Sequence, residues 1–252
     1  YPDAFTDLTD MGINWDDFGK LKQSYSMVDD KHYGVPFDNG AVIACYRTDI
    51  LKEAGYTIDD LTDITWSEFA KIGKDVHDKT GKYLLTSEGT GGDTMMMMIQ
   101  SCGANFVNEK GDAYIVGNDI AEKCVDIYTE LVQNDVVKLV NNWDEYVSTI
   151  TNGEAAGVVN GNWITATIAS TEDQKGQWAI TTMPSVDGVD SATHYANNGG
   201  SSWYVTANCQ NKDLAEDFLK STFGSSTDFY DAILPQRSEE RRVGKECRSR
   251  WS

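Results

Sequence analysis

The chain has 252 residues, 40% of them hydrophobic and 11% aromatic, with a formal net charge of −19 at pH 7. That apolar content supports a large core and excludes general disorder, and no uncharged apolar run of roughly 18 or more residues is present to form a membrane-spanning helix. A surface this acidic is repelled by nucleic acid and by anionic lipid, so neither is an expected partner, and a neutral or cationic small solute remains.

Residues 1–30 are acidic and aromatic and read as short pieces of helix and loop. Residues 33–46 (YGVPFDNGAVIACY) pass from a Gly- and Pro-punctuated entry into a continuous apolar run, the pattern of one strand buried on both faces. A helix over 48–54 follows, closed by Gly55. Thr65 and Glu68 form a capping box ahead of Trp66, Phe69, Ile72 and Val76, which share one helical face. Residues 82–86 read as a strand, 88–94 (EGTGGDT) as a glycine-rich loop and 95–102 as a helix. After a hairpin-like segment at 108–112, the periodicity predicts a helix over 119–134 with Asn118 as its cap and Ile120, Cys124, Ile127 and Leu131 on one face. A short helix over 144–151 ends at Gly153. Then come a strand at 155–159, a turn at Asn160, Gly161 and Asn162, a helix at 163–170, and strands at 178–182 and 203–207 on either side of the loop 197–202. Asn211 is expected to cap a last helix whose stripe is Leu214, Ala215, Phe218 and Leu219. Strands alternating with helices imply an α/β architecture.

The last stretch, 237–252 (RSEERRVGKECRSRWS), is basic and aperiodic, unlike everything before it. It resembles the in-frame translation of a sequencing-adapter oligonucleotide and is expected to be non-native. Its bases outnumber its acids, so the residues before it are more acidic than the whole. With Cys247 assigned to this tail, Cys45, Cys102, Cys124 and Cys209 remain, widely spaced and without a C-x-x-C pair, as expected of buried single thiols. Free thiols mildly oppose an oxidising compartment. His32, His77 and His194 show no ligand spacing, so no metal site is predicted and no cofactor is expected.

Four segments taken in order, YGVPFDNGAVIACYRTDILKEAG, TWSEFAKIGKDV, NGEAAGVVNGNW and GGSSWYVTANCQNKDLAEDFLK, resemble the extracellular solute-binding proteins of family 1, the maltose-binding-like group. The resemblance runs over about 33–223. It implies a periplasmic-binding-protein-like (type II) α/β fold, two lobes joined by crossing strands, with a carbohydrate held in the cleft and delivered to the permease subunits of an ABC transporter. It further implies an N-lobe remnant at 1–39, a hinge crossing at 40–45, a C-lobe at 46–195, a second crossing at 196–202 and an N-lobe return at 203–236. Family members carry a signal peptide and further strands ahead of the point matching Tyr1, and closing helices after the point where the tail begins. Both are expected to be missing here, with a lipid anchor, if any, in the missing N-terminal part. The implied protein is a monomer, extracellular, and either periplasmic or a cell-surface lipoprotein.

A sugar offers a face of C–H groups and an edge of hydroxyls, so its site needs aromatic platforms beside short polar groups. Trp163, just past a strand at the start of a helix, sits where open α/β folds bind ligands, and the resemblance implies that it stacks on sugar. Asn162 beside it can reach hydroxyls, as can Asn160, although both also suit a turn. Phe37, Asp38 and Asn39 precede the first crossing, where Asp38 can accept two hydroxyls. Gly91, Gly92 and Asp93 open a helix in a loop that matches no nucleotide-binding pattern. Gly200, with Gly199, allows close backbone approach or a hinge, and Trp203 offers a second platform. Trp66, Trp143 and Trp178 read as structural, and the methionines at 95–98 as core packing.

Two other readings compete. A carbohydrate hydrolase needs two carboxylates roughly 5–9.5 Å apart around a scissile bond, and no pair is picked out by position. The same fold binding a polyamine, a peptide or a metal chelate would want several carboxylates beside the aromatics, and only Asp38 and Asp93 are so placed. If one cleft wall is missing, the chain alone is expected to bind sugar weakly or not at all.

Overall fold

The computed structural model describes residues 1–108 and 110–233, so the segment 237–252 lies outside the described residues. Contacts divide the described residues into two units, Ala41–Asn198 and, on either side of it in sequence, Tyr1–Gly40 with 199–233.

The smaller unit opens with a short helix, α1 (Lys20–Ser24), and an antiparallel hairpin of β1 (Met27–Val28) and β2 (Lys31–His32). Its two turn residues, Asp29 and Asp30, have φ of 50° and 61°, the left-handed pair that lets a two-residue turn follow strand twist, and aspartate tolerates it better than most residues. Strand β3 (Gly34–Pro36) follows and is buried throughout.

In the larger unit β4 (Val42–Arg47) forms the centre of a three-stranded antiparallel sheet. Thus the expected single strand over 33–46 is two strands, parted by 37–41, where the chain passes from one unit to the other. Helix α2 (Thr48–Ala54) ends at Gly55, whose φ of 89° lets its N–H reach back to Leu51 and Lys52 carbonyls. In α3 (Trp66–Thr80) the Thr65 hydroxyl accepts from the Glu68 N–H at 3.3 Å and the Glu68 carboxylate accepts from the Thr65 N–H at 2.8 Å, the reciprocal cap read from the sequence. Strand β5 (Leu85–Glu88) lies later than predicted and pairs in parallel with β6 (Val137–Val140); α4 (Gly92–Ser101) and α5 (Asp119–Gln133) connect them. Helix α4 starts inside the expected loop, and Asn118 caps α5 by accepting from the Ala121 N–H. Helix α6 (Trp143–Thr151) leads to β7 (Gly157–Gly161), which pairs with β4 from Val42 opposite Gly161 to Tyr46 opposite Gly157. Helix α7 (Ile164–Ala169) and β8 (Trp178–Thr181), on the other edge of β4, complete the sheet in the order β7, β4, β8. A Cβ at Gly157 would come 2.3 Å from the Tyr46 ring and 2.7 Å from the Leu84 carbonyl oxygen, so this approach requires glycine.

The expected turn at 160–162 is corrected: Asn160 and Gly161 are the last ladder residues of β7, paired with Ile43 and Val42. Pairing with β4 overrides the turn preference of an Asn-Gly step. The core of this unit joins Tyr46, Trp66, Phe69, Leu84, Met97 and Met98, so the methionine run does serve packing; burying a side chain such as Phe69 contributes roughly 1.5–3 kcal/mol. Cys45, Cys102 and Cys124 are buried, and burial pushes the Cys45 and Cys124 thiols up to about 12, which leaves them protonated and unreactive.

Returning to the smaller unit, β9 (Ser202–Tyr204) pairs antiparallel with β3, and α8 (Lys212–Leu219) and α9 (Thr227–Ile233) follow. Asn211 precedes α8 without the expected side-chain cap. Of the anticipated stripe only Leu219 is buried, while Leu214 and Phe218 are 70% and 56% exposed. Cys209 is half-buried rather than buried. Among the described residues no helix is long and apolar enough to cross a membrane, and no cluster of three or more His, Cys, Asp or Glu side chains could hold a metal.

Candidate functional site

Within the unit 41–198, the carboxyl ends of β5 and β7 and the first turns of α4 and α6 surround a concave cavity of about 470 Å³, its open mouth included. Gly91, at φ 62°, turns the chain into α4, and a Cβ there would meet the Tyr128 ring at 2.7 Å. Gly92 and Asp93 of the first turn line the cavity with Ser87, Glu88, Trp143, Tyr146 and Asn160. Asp93 also has the favourable charge for a helix N-terminus.

The aromatic wall is formed by Trp143 and Tyr146, with Trp163 packed against Trp143. Trp143 stacks on Tyr146 with centroids 5.3 Å apart and planes 14° apart, and Trp163 tilts against Trp143 at 5.6 Å and 50°. Trp143 is 43% exposed. The Trp163 indole N–H donates to the Asn198 carbonyl at 2.9 Å, which fixes the ring. A Cβ at Gly161 would meet that indole nitrogen at 2.2 Å, so the glycine makes room for it.

The polar floor is a connected network. Asn198 Nδ2 donates to Asn160 Oδ1 at 2.8 Å and to Asp93 Oδ2 at 3.3 Å, and Asn160 Nδ2 donates to the Tyr146 hydroxyl at 2.9 Å. Beside it, the Tyr128 hydroxyl donates to Ser87 Oγ at 3.1 Å, and Ser87 shares a hydrogen bond of the same length with Thr94. Burial raises the phenolic pKa of both Tyr146 and Tyr128, so both remain neutral hydrogen-bonding groups. The lining holds two carboxylates, Glu88 and Asp93, and no cation, a field that disfavours anionic solutes.

Of the residues expected from the sequence, Gly92 and Asp93 line this cavity, Gly91 precedes them at the start of α4, and Trp163 packs against the lining Trp143 without lining the cavity itself. Asn162 adjoins Trp163, with its Oδ1 buried and without a hydrogen-bond partner. Phe37, Asp38, Asn39, Gly200 and Trp203 belong to the other unit. There Phe37 packs against Trp203 and Phe223 at 5.8 and 5.3 Å, the Asp38 carboxylate accepts from the Ser201 N–H, and Gly200 takes a φ of 95°. Trp203 is 43% exposed and Asn39 is exposed. The sequence reading missed Trp143 and Tyr146 as lining residues and Asn198 as the amide that joins Asn160 to Asp93. A faint signal existed for the first two: aromatics in the first turn of a helix just after a strand's carboxyl end occupy ligand-facing ground in α/β folds.

Residues 1–229 match the sequence model of the family described as "Bacterial extracellular solute-binding protein". The chain belongs to this family. Among its relatives, the lactose-binding protein of Rhizobium radiobacter is 37% identical over 237 residues, covering 94% of this chain and 56% of the relative. The arabinooligosaccharide-binding protein of Halalkalibacterium halodurans is 24% identical over 209 residues, covering 81% of this chain and 46% of that protein. The chain thus spans about half the length of these solute-binding relatives. In fold it is similar to the GacH receptor of Streptomyces glaucescens, with a TM-score of 0.77 at 17% identity over 93% of this chain and 60% of the receptor. It is similar also to an ABC transporter associated binding protein from B. animalis subsp. lactis, with a TM-score of 0.75 at 20% identity over 90% of this chain and 58% of that one. These likenesses assign the chain the α/β fold of the type II periplasmic sugar-binding proteins. The family and the named relatives are binding proteins rather than enzymes.

Proposed function

We propose that this chain is part of the substrate-binding component of an ABC transporter that takes up a neutral mono- or oligosaccharide, and that the cavity of the unit 41–198 contacts the sugar. The observation that carries the reading is the pairing of an aromatic wall, Trp143 and Tyr146 with Trp163 packed against Trp143, with a floor of amide, hydroxyl and carboxylate groups. Ring faces suit the C–H face of a pyranose, and the floor suits its hydroxyls. The names of the relatives, which bind lactose or arabinooligosaccharides, support the same solute class. In this reading 41–198 forms one lobe and the residues on either side belong to a second. The protein works outside the cytoplasmic membrane, free or lipid-anchored, as a monomer that passes its sugar to permease subunits.

The test is a titration, followed by tryptophan fluorescence, with lactose, maltose and arabinobiose, and with spermidine as the cationic comparison. At least one sugar is expected to bind and spermidine is not. Trp163→Ala is expected to weaken sugar binding by roughly tenfold, the loss of about 1.4 kcal/mol. Unchanged affinity in that variant would remove the stacking argument, preference for spermidine would favour a polyamine, and hydrolysis of the sugars on incubation would make the protein an enzyme.

A further inference from the structure

The cavity floor has a fixed hydrogen-bond polarity. The Gly161 backbone N–H can only donate, and it donates to Asn160 Oδ1 at 2.8 Å. That contact identifies the acceptor end of the Asn160 amide, so the NH₂ end faces the Tyr146 hydroxyl. The Asn198 amide is fixed in the same way. Its Nδ2 lies between Asn160 Oδ1 and Asp93 Oδ2, and a carbonyl oxygen turned to that position would face two acceptors. The Tyr146 oxygen is therefore an acceptor from Asn160, and its own proton has no acceptor among the described residues. Tyr146 is only 5% exposed overall, and it lines the cavity. Burial raises the phenol's pKa, which keeps the proton in place, and the parallel Trp143 ring holds the phenol's plane. Asp93, exposed at the helix start, takes one hydrogen bond through Oδ2 and keeps Oδ1 uncommitted.

We propose that Tyr146 is a specificity-determining residue of this site: its O–H donates to an oxygen of an uncharged polyhydroxylated ligand while Asp93 accepts from a second ligand hydroxyl. The inference rests on the sugar-binding reading above and narrows it. A ligand must present an acceptor to the floor and a donor to the rim, as a pyranose does along one edge. An ammonium group has no lone pair for the Tyr146 proton, and a carboxylate is repelled by Asp93 and Glu88.

The experiment uses the sugar of the titration panel that binds most tightly, together with its monodeoxy analogues, on the unaltered protein and on Tyr146→Phe. Tyr146→Phe is expected to bind the parent sugar roughly tenfold more weakly, the effect of one lost hydrogen bond from a well-packed site. One monodeoxy analogue is expected to lose about as much on the unaltered protein and nothing further on the variant. A purely structural Tyr146 would weaken every sugar equally and leave the discrimination between analogues intact, which overturns the proposal. Equal affinity of the two proteins for the parent sugar overturns it as well, with the sugar-binding reading left standing. If the unaltered protein binds no sugar of the panel, the sugar-binding reading fails and this inference fails with it. Thermal melts of both proteins report any loss of folding separately.

Discussion

In the unit 41–198 the largest side chains, among them Trp66, Tyr46, Phe69 and Leu84, are fully buried within one cluster that reaches from β4 to Val186. Among the described residues, the unit on either side of it gathers six buried hydrophobic residues around Leu8 and Phe223, and leaves Tyr25, Trp203, Tyr204, Leu214 and Phe218 exposed. Burial of apolar area is the main favourable term in folding and small cores supply little of it. The difference teaches that the cavity is carried by the unit able to hold its own shape, which a preorganised ligand site requires.

Four measurements would break or sharpen that contrast. Phe69→Ala is expected to destabilise the larger unit by about 3–5 kcal/mol in a denaturant titration. Limited proteolysis of the unaltered protein should cut first within 1–40 or after 198 and leave a fragment close to 41–198; a first cut inside α3 would reverse the ranking. Gly157→Ala forces a Cβ against the Tyr46 ring and the Leu84 carbonyl, so a loss of about 1–3 kcal/mol is expected, and a neutral result would mean that β4 and β7 can part. Thr65→Ala removes the cap of α3 and should cost about 1 kcal/mol.

The smallest effect belongs to the smaller unit. Hydrogen bonds from the Thr9 side chain and from Lys31, with the Thr9 N–H and the Lys31 charge, hold the Asp7 carboxyl at about 2. Because the folded value is depressed, this contribution is fully present above the ordinary carboxylate range near 3.9 and is lost as pH falls through about 2. Asp7 is solvent-exposed and so is its partner Lys31, so the effect is small. Melting temperatures recorded between pH 5 and pH 2 should fall slightly less steeply in Asp7→Asn; identical curves would show that the contact contributes nothing.

Local chemistry was legible wherever neighbours in sequence decide the structure. The Thr65 and Glu68 box, the Gly55 stop and the Asn118 cap all stand where the residues put them, because a cap is completed within one helical turn. Asn160 was misread as a turn residue since its partners, Ile43 across the ladder and Asn198 in the floor, are remote in sequence. Leu214 and Phe218 follow a helical stripe faithfully, yet periodicity states which face is apolar and not whether anything covers it. Trp143 was taken as structural for a related reason: exposure beside Trp163 depends on α6 and α7 meeting, which no local pattern encodes.

By itself the sequence determined the α/β class, most helix boundaries, the membership of the solute-binding family and Trp163 as a candidate platform, since periodicity, caps and four ordered motifs are local or colinear signals. Only the tertiary structure decided that Trp143 and Tyr146 line the cavity and that the Gly161 N–H, through Asn160, makes the Tyr146 oxygen an acceptor. Such polarity is a property of side chains brought together by strand pairing and helix packing, and it exists only once the chain has folded.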